Sequence, residues 1–252
     1  MIILDKKEFF MRDYKVETEK RVEFIRKQLE ESGAKGIVFG NSGGKDSALV
    51  GILCKLACDN TVGIILPCFS ECNYGDDMSD AMLISAMFRI EKRKVDLAKT
   101  AEALKRALGE AAAITPAAEA NIAPRLRMTT LYAIAASEGR LVAGTGNRSE
   151  LHMGYFTKWG DGACDFNPIA DLTVSEIYQF LTHLDVPKRI IAKAPSAGLY
   201  DGQTDEQEMG ITYKAIDEYL QSGICDPEDM EVIANYHRIS AHKRKPPAAY
   251  LG

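Results

Sequence analysis

The sequence predicts an α/β protein with an open, twisted, parallel β-sheet flanked by helices. Between residues 16 and 144, short apolar runs bounded by glycine or proline alternate with longer segments whose apolar residues recur at helical spacing. Strands and helices that alternate in this way form βαβ units, whose strands pair in parallel. No internal repeat or linker interrupts the 252 residues, so we expect one domain over residues 1–252.

The first four elements follow from local pattern. Residues 16–32 place apolar side chains at helical spacing among Lys, Arg and Glu, which predicts an amphipathic helix. Residues 36–40 form a short apolar run between glycines, which predicts a buried strand. A polar glycine turn then leads into an apolar helix over 47–57, and residues 61–66 form a second apolar strand.

The alternation continues more loosely toward residue 144. Residues 109–121 show no clear period, and we expect part of this segment to be a mobile loop. After Gly144 the chain is richer in Gly, Asp and aromatic residues, which favours loops that carry function. Between residues 79 and 144 the spacing of apolar residues predicts helices over 79–88, 98–108 and 127–137 and strands over 93–97 and 140–144.

Composition and charge exclude several classes of protein. The net charge of −5 argues against a dedicated nucleic-acid binder, which usually carries a basic surface. No segment approaches the roughly 18 to 20 apolar residues that span a bilayer, and the N-terminus does not resemble a signal or transit peptide. Without a secretory signal, the six cysteines are expected to be reduced thiols. We therefore expect a cytoplasmic protein that binds neither nucleic acid nor membrane.

The glycine turn after the first strand has the chemistry of a phosphate site. Its glycines let backbone N–H groups approach a ligand, and the helix after it adds unpaired N–H donors and a partial positive charge. Two serines add hydroxyl donors, and the lysine either adds charge or points to solvent. The turn consists of Gly40, Asn41, Ser42, Gly43, Gly44, Lys45, Asp46 and Ser47.

Asp46 is unexpected in such a turn, because a carboxylate repels bound phosphates. It fits if it holds a Mg²⁺ ion that bridges them. The spacing differs from that of the G-x-x-x-x-G-K-[ST] loop of kinases and GTPases. The alternative is an ordinary glycine-rich turn capped by Ser or Asp, but Ser-Gly-Gly-x-Asp-Ser after a buried strand favours phosphate binding.

This loop resembles that of the adenine nucleotide α-hydrolases, also called N-type ATP pyrophosphatases. The resemblance implies a Rossmann-like adenine nucleotide α-hydrolase fold with ATP as co-substrate. It also implies that an acceptor oxygen attacks the α-phosphorus of ATP while the loop grips the leaving pyrophosphate.

Residues 141–165 indicate a narrower resemblance. They read LVAGTGNRSELHMGYFTKWGDGACD and resemble ammonia-dependent NAD synthetases, in which Gly-Thr-Gly-Asn-x-x-Glu and Gly-Tyr-Phe-Thr-Lys-x-Gly-Asp-Gly recur together. Residues 123–128, 194–199, 201–213 and 242–244 match further family motifs in the expected order. The resemblance implies a homodimer that amidates deamido-NAD with ammonia, giving NAD, AMP and pyrophosphate through an adenylated carboxylate. Since 252 residues leave no room for the nitrilase-type domain of the glutamine-dependent relatives, we expect no glutaminase domain.

The resemblance also implies roles for individual residues. Asp46 and Glu150 would hold Mg²⁺, which prefers oxygen ligands. Asp161 would orient or deprotonate the incoming ammonium, since only ammonia has the lone pair that attacks. Asp46 and Lys158 complete the implied catalytic set. The implied ATP ligands are the residues of the glycine turn with Thr145 and Ser196, and the implied deamido-NAD ligands are Arg125, Lys158, Asp165, His242 and Lys243.

Local interpretations of these residues remain open. Glu150 also suits the solvated start of a helix, and Thr145 suits a helix N-cap. Arg127 is either a second ligand or part of a surface salt bridge. Val174 stands where family members usually carry a Lys that contacts ATP, so either Lys45 supplies that charge or ATP binds more weakly.

Two other functions also remain open. An ATP pyrophosphatase that adenylates another acceptor, such as a tRNA-thiolating enzyme, would use cysteines, although the acidic composition opposes it. A nonenzymatic nucleotide-binding module is favoured only by Val174.

Overall fold

One parallel sheet forms the centre of the molecule. The computed structural model describes residues 12–68, 71–193 and 204–250. Its strands are β1 (Gly36–Gly40), β2 (Thr61–Ile65), β3 (Glu91–Lys94) and β4 (Arg140–Ala143). All neighbours pair in parallel, in the order β3-β2-β1-β4. The predicted α/β fold with an open parallel sheet is therefore confirmed.

Helices flank the sheet and make up most of the regular structure after β4. The helices of the first half are α1 (Tyr14–Ser32), α2 (Lys45–Ala57), α3 (Glu71–Tyr74), α4 (Asp76–Met87), α5 (Ala98–Gly109), α6 (Pro116–Ala120) and α7 (Ile122–Glu138). Those after β4 are α8 (Arg148–Met153), α9 (Val174–His183), α10 (Lys188–Ile191), α11 (Asp205–Met209), α12 (Tyr213–Ser222) and α13 (Pro227–Ile239), with a short 3-10 helix at Ala241–Lys243.

Both faces of the sheet are buried, as is usual for parallel sheets. Side chains of β1 alternate between two apolar clusters. Ile37 and Phe39 pack with residues of α1, α2 and α9, whereas Val38 packs with residues of α5 and α7. The central strand is therefore apolar at every position, which is why its sequence predicts it so clearly.

The helices α1 and α2 begin slightly earlier than their apolar patterns predict. The Asp13 side chain caps α1 by accepting hydrogen bonds from the N–H groups of Lys15 and Val16. Helix α2 begins at Lys45, directly after the glycines. Lys45 and Asp46 therefore belong to the first turn of a helix and not to the loop before it.

The prediction of a strand over 93–97 is shifted from the strand that forms. Strand β3 has the sequence EKRK and is mostly exposed, and it lies at the edge of the sheet beside β2. Charged edge strands protect a sheet from unwanted pairing. Because such a strand buries little apolar surface, apolar periodicity locates it poorly.

Within residues 109–121, the non-helical segment covers residues 110–115 and the short helix α6 follows it. Thr115 caps α6 by accepting a hydrogen bond from the Ala118 N–H, and α7 begins immediately after it. Pro124 lies in the first turn of α7, where a missing backbone N–H costs no helical hydrogen bond. Helix α7 therefore extends five residues upstream of its predicted start at 127.

The expectation of loops after Gly144 holds for residues 154–173 and is wrong for most of the described residues beyond 173. Helices α8, α9, α11, α12 and α13 share a third apolar cluster, which includes Met153, Val174 and Tyr213. Their bounds rest on packing between distant segments. None of the helices in the described part of the chain has the length and hydropathy needed to cross a bilayer.

Candidate active site

A cavity of about 870 Å³ lies at the carboxyl ends of the strands. The segments after β1, β2 and β4 all line it, through residues such as Ser42, Leu66 and Thr145. Open α/β sheets bind ligands at this edge, and binding sites for small molecules typically enclose about 300–1,000 Å³. The cavity therefore has the position and size of a substrate site.

Gly43 determines how the glycine loop lies. Its φ of +76° falls in the left-handed region, and a Cβ atom there would lie 2.1 Å from the Asp77 carbonyl oxygen. Asn41 fastens the same contact, since its Nδ2 donates to the Ala81 carbonyl (3.2 Å) and to Ser85 Oγ (3.1 Å). The loop backbone thus packs directly on α4, and the amide of Asn41 serves that packing.

The start of α2 offers free donors to an anion. No side chain caps the helix at Gly44, so the N–H groups of its first turn are left for a ligand. Ser42 Oγ lies 3.1 Å from Ser47 Oγ and accepts a hydrogen bond from the Gly44 N–H (3.2 Å). The geometry is that expected of a phosphate cradle, with two hydroxyl groups beside the uncapped helix start.

Asn147 brings the two predicted metal ligands together. It forms a capping box with Glu150: its side chain accepts from the Glu150 N–H (2.9 Å), and Glu150 Oε2 accepts from the Asn147 N–H (3.1 Å). Its Nδ2 also donates to Asp46 Oδ1 (3.1 Å). Burial and the nearby charge of Asp46 raise the pKa of Glu150. Two carboxylates from distant segments therefore share one half-buried corner of the cavity.

Lys45 is buried in the same corner. Its side chain is 6% exposed, and its Nζ lies 2.8 Å from Asp46 Oδ2 and 5.7 Å from the centre of the Tyr213 ring. Burial alone lowers the pKa of an ammonium group, but the carboxylates of Asp46 and Glu150 more than offset it and raise the pKa of Lys45. Of the two orientations left open by the sequence, Lys45 takes the one that places its charge in the site.

The chemistry of this corner suits Mg²⁺, provided that a nucleotide completes the shell. Mg²⁺ is commonly bound by one or two carboxylates together with phosphate oxygens of the substrate. Among the described residues, no group of three or more His, Cys, Asp or Glu side chains is arranged to hold a metal ion. Asp46 and Glu150 would therefore need oxygens from a bound ligand.

A second part of the cavity is formed by residues 154–161 together with residues 240–243, which we call the C-terminal wall. Lys243 Nζ donates to the carbonyls of Gly154 (2.8 Å) and Phe156 (2.7 Å). Lys158 Nζ donates to the carbonyl of His242 (2.6 Å). His242 and Lys243 both line the cavity, so the end of the chain closes part of the site.

Asp161 lines the cavity in this wall. Its Oδ1 accepts a hydrogen bond from the Thr157 N–H (2.9 Å), which orients the carboxylate. Desolvation by the surrounding wall raises the pKa of Asp161, although part of the residue is exposed to solvent.

Besides Gly43, which packs against α4, four predicted ligands are not among the described residues that line the cavity. Arg125 is exposed, and its Nη2 approaches the Lys158 carbonyl (3.4 Å). Asp165 accepts hydrogen bonds from the Val142 N–H (2.7 Å) and the Tyr132 hydroxyl (3.2 Å), beside β4. Lys158 belongs to the C-terminal wall and donates to the His242 carbonyl without lining the cavity, and Ser196 lies outside the described residues. Their roles stay predictions.

The structure instead brings Arg127 into the cavity. Arg127 Nε donates to the Leu66 carbonyl (3.0 Å) and Nη2 to Asn73 Oδ1 (2.9 Å). Positions 125 and 127 point to different sides of α7, because successive residues turn by about 100° in a helix. The helical phase was a usable signal, since the cavity-lining positions of α7 recur at 124, 127, 128 and 131.

Asn147 and Asp217 were not predicted from the sequence. Asn147 was recognisable from the N-x-x-E spacing of a capping box. Buried Asp217 accepts hydrogen bonds from Ser149 Oγ (2.5 Å) and the Ser175 N–H (2.7 Å), which joins α8, α9 and α12 beside Glu150. No local pattern marks Asp217, since its partners lie 68 and 42 residues away.

Comparison with known proteins finds relatives that match nearly the whole chain. A protein named NH(3)-dependent NAD(+) synthetase from Carboxydothermus hydrogenoformans is 47% identical over 238 residues, covering 93% of this chain and 97% of the relative. A second NH(3)-dependent NAD(+) synthetase, from Alkaliphilus metalliredigens, is 42% identical over 241 residues, covering 92% of this chain and 96% of the relative.

Two solved structures are similar over nearly their whole length. An NMN synthetase from Francisella tularensis superposes with a TM-score of 0.90 at 38% identity, covering 96% of this chain and 100% of that one. An NH3-dependent NAD synthetase from Campylobacter jejuni superposes with a TM-score of 0.77 at 32% identity, covering 95% of this chain and 99% of that one. Residues 17–247 also match the NAD synthase family as a whole. The chain therefore belongs to the NAD synthase family.

Proposed function

We propose that this protein is an ammonia-dependent ligase that converts the nicotinate carboxylate of deamido-NAD to the amide of NAD, with cleavage of ATP to AMP and pyrophosphate. The observation that carries the proposal is that one cavity holds the uncapped start of α2, the pair Asp46 and Glu150, and Asp161. An acceptor such as tRNA is not favoured by the family.

The first step is attack of the nicotinate carboxylate on the α-phosphorus of ATP. The bond between the α- and β-phosphates breaks, pyrophosphate leaves, and an adenylated carboxylate forms. The first-turn N–H groups of α2, with the hydroxyls of Ser42 and Ser47, would hold the leaving pyrophosphate. Fixed donors aimed at developing charge stabilise a transition state without reorganising. Asp46 and Glu150 would hold Mg²⁺, which would supply further neutralisation of that charge.

In the second step ammonia attacks the activated carbonyl and AMP leaves. Ammonium is abundant near neutral pH but has no lone pair, so a base must take its proton. Asp161 is the candidate, because it lines the cavity and one of its oxygens is already oriented by the Thr157 N–H. The rest of the C-terminal wall would keep water from hydrolysing the adenylate.

The mononucleotide is a second candidate acceptor. The superposition on the NMN synthetase, with a TM-score of 0.90, favours it, whereas the 47% identity to an NH(3)-dependent NAD(+) synthetase favours the dinucleotide. Both acceptors present the same nicotinate carboxylate, so the two reactions share their chemistry. They differ only in whether an adenylate moiety of the acceptor is also bound.

A side-by-side assay tests both candidates. The purified protein is given ATP, Mg²⁺ and ammonium with either deamido-NAD or nicotinate mononucleotide, and the amide, AMP and pyrophosphate are measured by chromatography. We expect equal amounts of the three products and a kcat/KM for deamido-NAD about tenfold or more above that for the mononucleotide. The reverse ranking would assign the second function. Failure to form an amide from either acceptor would overturn the proposal.

The remaining expectations rest on the same family. We propose a cytoplasmic homodimer with a single catalytic domain, Mg²⁺ as cofactor and no nucleic-acid partner. Light scattering of the purified protein measures the oligomeric state directly. Variants of Arg125 and Asp165 in the same assay would show whether these residues bind the acceptor in the assembled enzyme.

A further inference from the structure

Lys45 is the charge that the proposed mechanism does not use. Its Nζ lies 2.8 Å from Asp46 Oδ2, its side chain is 6% exposed, and Glu150 acts on it electrostatically. Removing a lysine ammonium group from water costs solvation free energy, which a lysine at the surface does not lose. Here the carboxylates of Asp46 and Glu150, which are themselves partly exposed, compensate the cost of burying the ammonium group.

The hydrogen bonds of Asp46 leave a divalent ion in competition with Lys45. Asn147 Nδ2 donates to Asp46 Oδ1, and Lys45 Nζ donates to Asp46 Oδ2. Both oxygens of Asp46 therefore have protein donors already. A divalent cation that approached the pair would meet an ammonium group in a half-buried corner, where repulsion between like charges is poorly screened.

A nucleotide changes this balance. Lysine carries its charge on a flexible four-carbon stem, and Lys45 is the first residue of the uncapped α2, where phosphates bind most readily. Phosphate oxygens at that helix start offer the ammonium group another anionic partner. Once Lys45 turns to them, Asp46 Oδ2 becomes available to a metal ion.

We propose that Lys45 is a tethered counter-cation that keeps divalent metal off the Asp46–Glu150 pair until a nucleotide is bound. The inference deepens the proposed function and rests on it for the identity of the nucleotide. Metal and nucleotide then bind with strong mutual coupling, and the free protein has little affinity for the metal. Lys45 acts here as a positioning residue for the metal and not as a group that reacts.

On the side away from Asp46, the Lys45 ammonium group contacts an aromatic ring. The ring of Tyr213 lies under Nζ, and Tyr213 donates through its hydroxyl to Asp205 Oδ2 (3.0 Å). Val174, 2% exposed, belongs to the same apolar cluster as Tyr213. The ammonium group meets an aromatic ring on this side, so its anionic partners are the nearby carboxylates or a ligand in the cavity.

The test measures binding, without turnover. Mn²⁺ binding is followed by electron paramagnetic resonance for the wild type and Lys45→Met, with and without α,β-methylene-ATP, which cannot be cleaved between its α- and β-phosphates. Lys55→Met is the matched control, since Lys55 lies on the same helix and pairs with the exposed Asp59. Lys45→Arg keeps the charge, and thermal unfolding checks that each variant is folded.

For the free protein we expect Lys45→Met to bind Mn²⁺ about tenfold more tightly than the wild type and Lys55→Met. Addition of the nucleotide analogue should tighten Mn²⁺ binding strongly in the wild type and much less in Lys45→Met. Adding Glu150→Gln to Lys45→Met should remove the gain, which would locate the ion.

Equal Mn²⁺ affinity of the free wild type and Lys45→Met would overturn the inference, as would equal coupling to the nucleotide in both. If Lys45→Met does not fold, a Lys45→Arg variant that binds Mn²⁺ tightly without nucleotide would overturn it instead. Because no acceptor is present, the result stands apart from the amidation assay. Coupled binding without amide formation would contradict the proposed function alone.

Discussion

The two parts of the cavity wall are held in different ways. The phosphate side, formed by residues 40–47 with Asn147 and Glu150, is held by buried backbone contact and by hydrogen bonds of the capping box. The C-terminal wall is held by two lysines that donate to backbone carbonyls 84 to 89 residues away in the sequence. The phosphate side is a compact unit, whereas the C-terminal wall depends on hydrogen bonds between distant segments.

These two kinds of support determine what each side can tolerate. A substitution that disturbs the buried packing of the phosphate side should affect both the stability of the fold and the binding of ATP. Replacing one of the two lysines of the C-terminal wall removes one or two exposed or half-buried hydrogen bonds, each worth about 1.5–3 kcal/mol when a charged group is involved. It should alter acceptor binding while the fold persists.

The largest effect is expected for Asp46→Asn. The substituted side chain still accepts from Asn147 Nδ2 but loses its charge, so we expect turnover to fall by about 100- to 1,000-fold, as for other charge-stabilising groups. AMP formation measures it, with calorimetry to verify that the variant still binds ATP. Asp59→Asn, at a position whose side chain is 99% exposed, is the control. Turnover within about tenfold of the wild type would remove Asp46 from the mechanism.

Gly43→Ala tests how tightly the phosphate side is packed. The new methyl group would meet the Asp77 carbonyl at 2.1 Å, whereas Gly223 has a similar φ of +75° with nothing within 4 Å. We expect Gly223→Ala to cost about 1 kcal/mol through its backbone conformation, and Gly43→Ala about 3 kcal/mol more through forced displacement of α4. Urea unfolding gives both values. Equal losses would mean that the contact with α4 yields easily.

Lys243→Met should separate acceptor from nucleotide. It removes the bonds to Gly154 and Phe156, so we expect the KM for the acceptor to rise about tenfold while that for ATP stays within about twofold. Lys245→Met, at an exposed position of the same tail, should leave both unchanged. Steady-state kinetics with each substrate varied in turn measures both KM values. A rise confined to the KM for ATP would contradict the prediction.

The smallest effect concerns His152, two residues beyond Glu150. Burial, and then His237, which stacks on it at 4.3 Å, lower the pKa of His152 from its usual 6.5 to about 4. The unfolded chain therefore takes up a proton first as the pH falls, and the stabilisation present above pH 6.5 is lost between about pH 6.5 and 4.

We expect the wild type to lose about 1 kcal/mol more than His152→Gln between pH 7 and 4.5, a modest figure because the ring is half-exposed and partly screened by solvent. The pH dependence of urea unfolding measures it, with His183→Gln as the matched variant. Parallel pH profiles for the wild type and His152→Gln would show that α8 carries no such linkage.

Much of the first half of the fold was predictable because its signals are local. The apolar run of β1 and the glycine loop predict their own conformations through side-chain alternation and the freedom of Gly43 at positive φ. The edge strand β3 was misplaced for the opposite reason, since its four residues are charged and only pairing with β2 makes them a strand.

The same distinction between local signals and distant contacts applies to the residues of the candidate site. The residues of the phosphate loop could be chosen from sequence pattern, because the glycines, serines and helix start that form it are contiguous. Whether Arg125 or Arg127 faces the cavity depends on the phase of α7 against β2, and Asp217 acts on Glu150's helix from 68 residues beyond Ser149. Neither relation can be predicted from a short stretch of the sequence.

Sequence alone was enough for the class of fold, the position of the glycine loop and the family, since each rests on short motifs whose conformation or chemistry is intrinsic to neighbouring residues. Folding in three dimensions settled where Lys45 puts its charge, which arginine enters the cavity and how the C-terminal tail closes it. Those outcomes depend on burial and on hydrogen bonds between segments dozens of residues apart, and such energies exist only once the chain has packed.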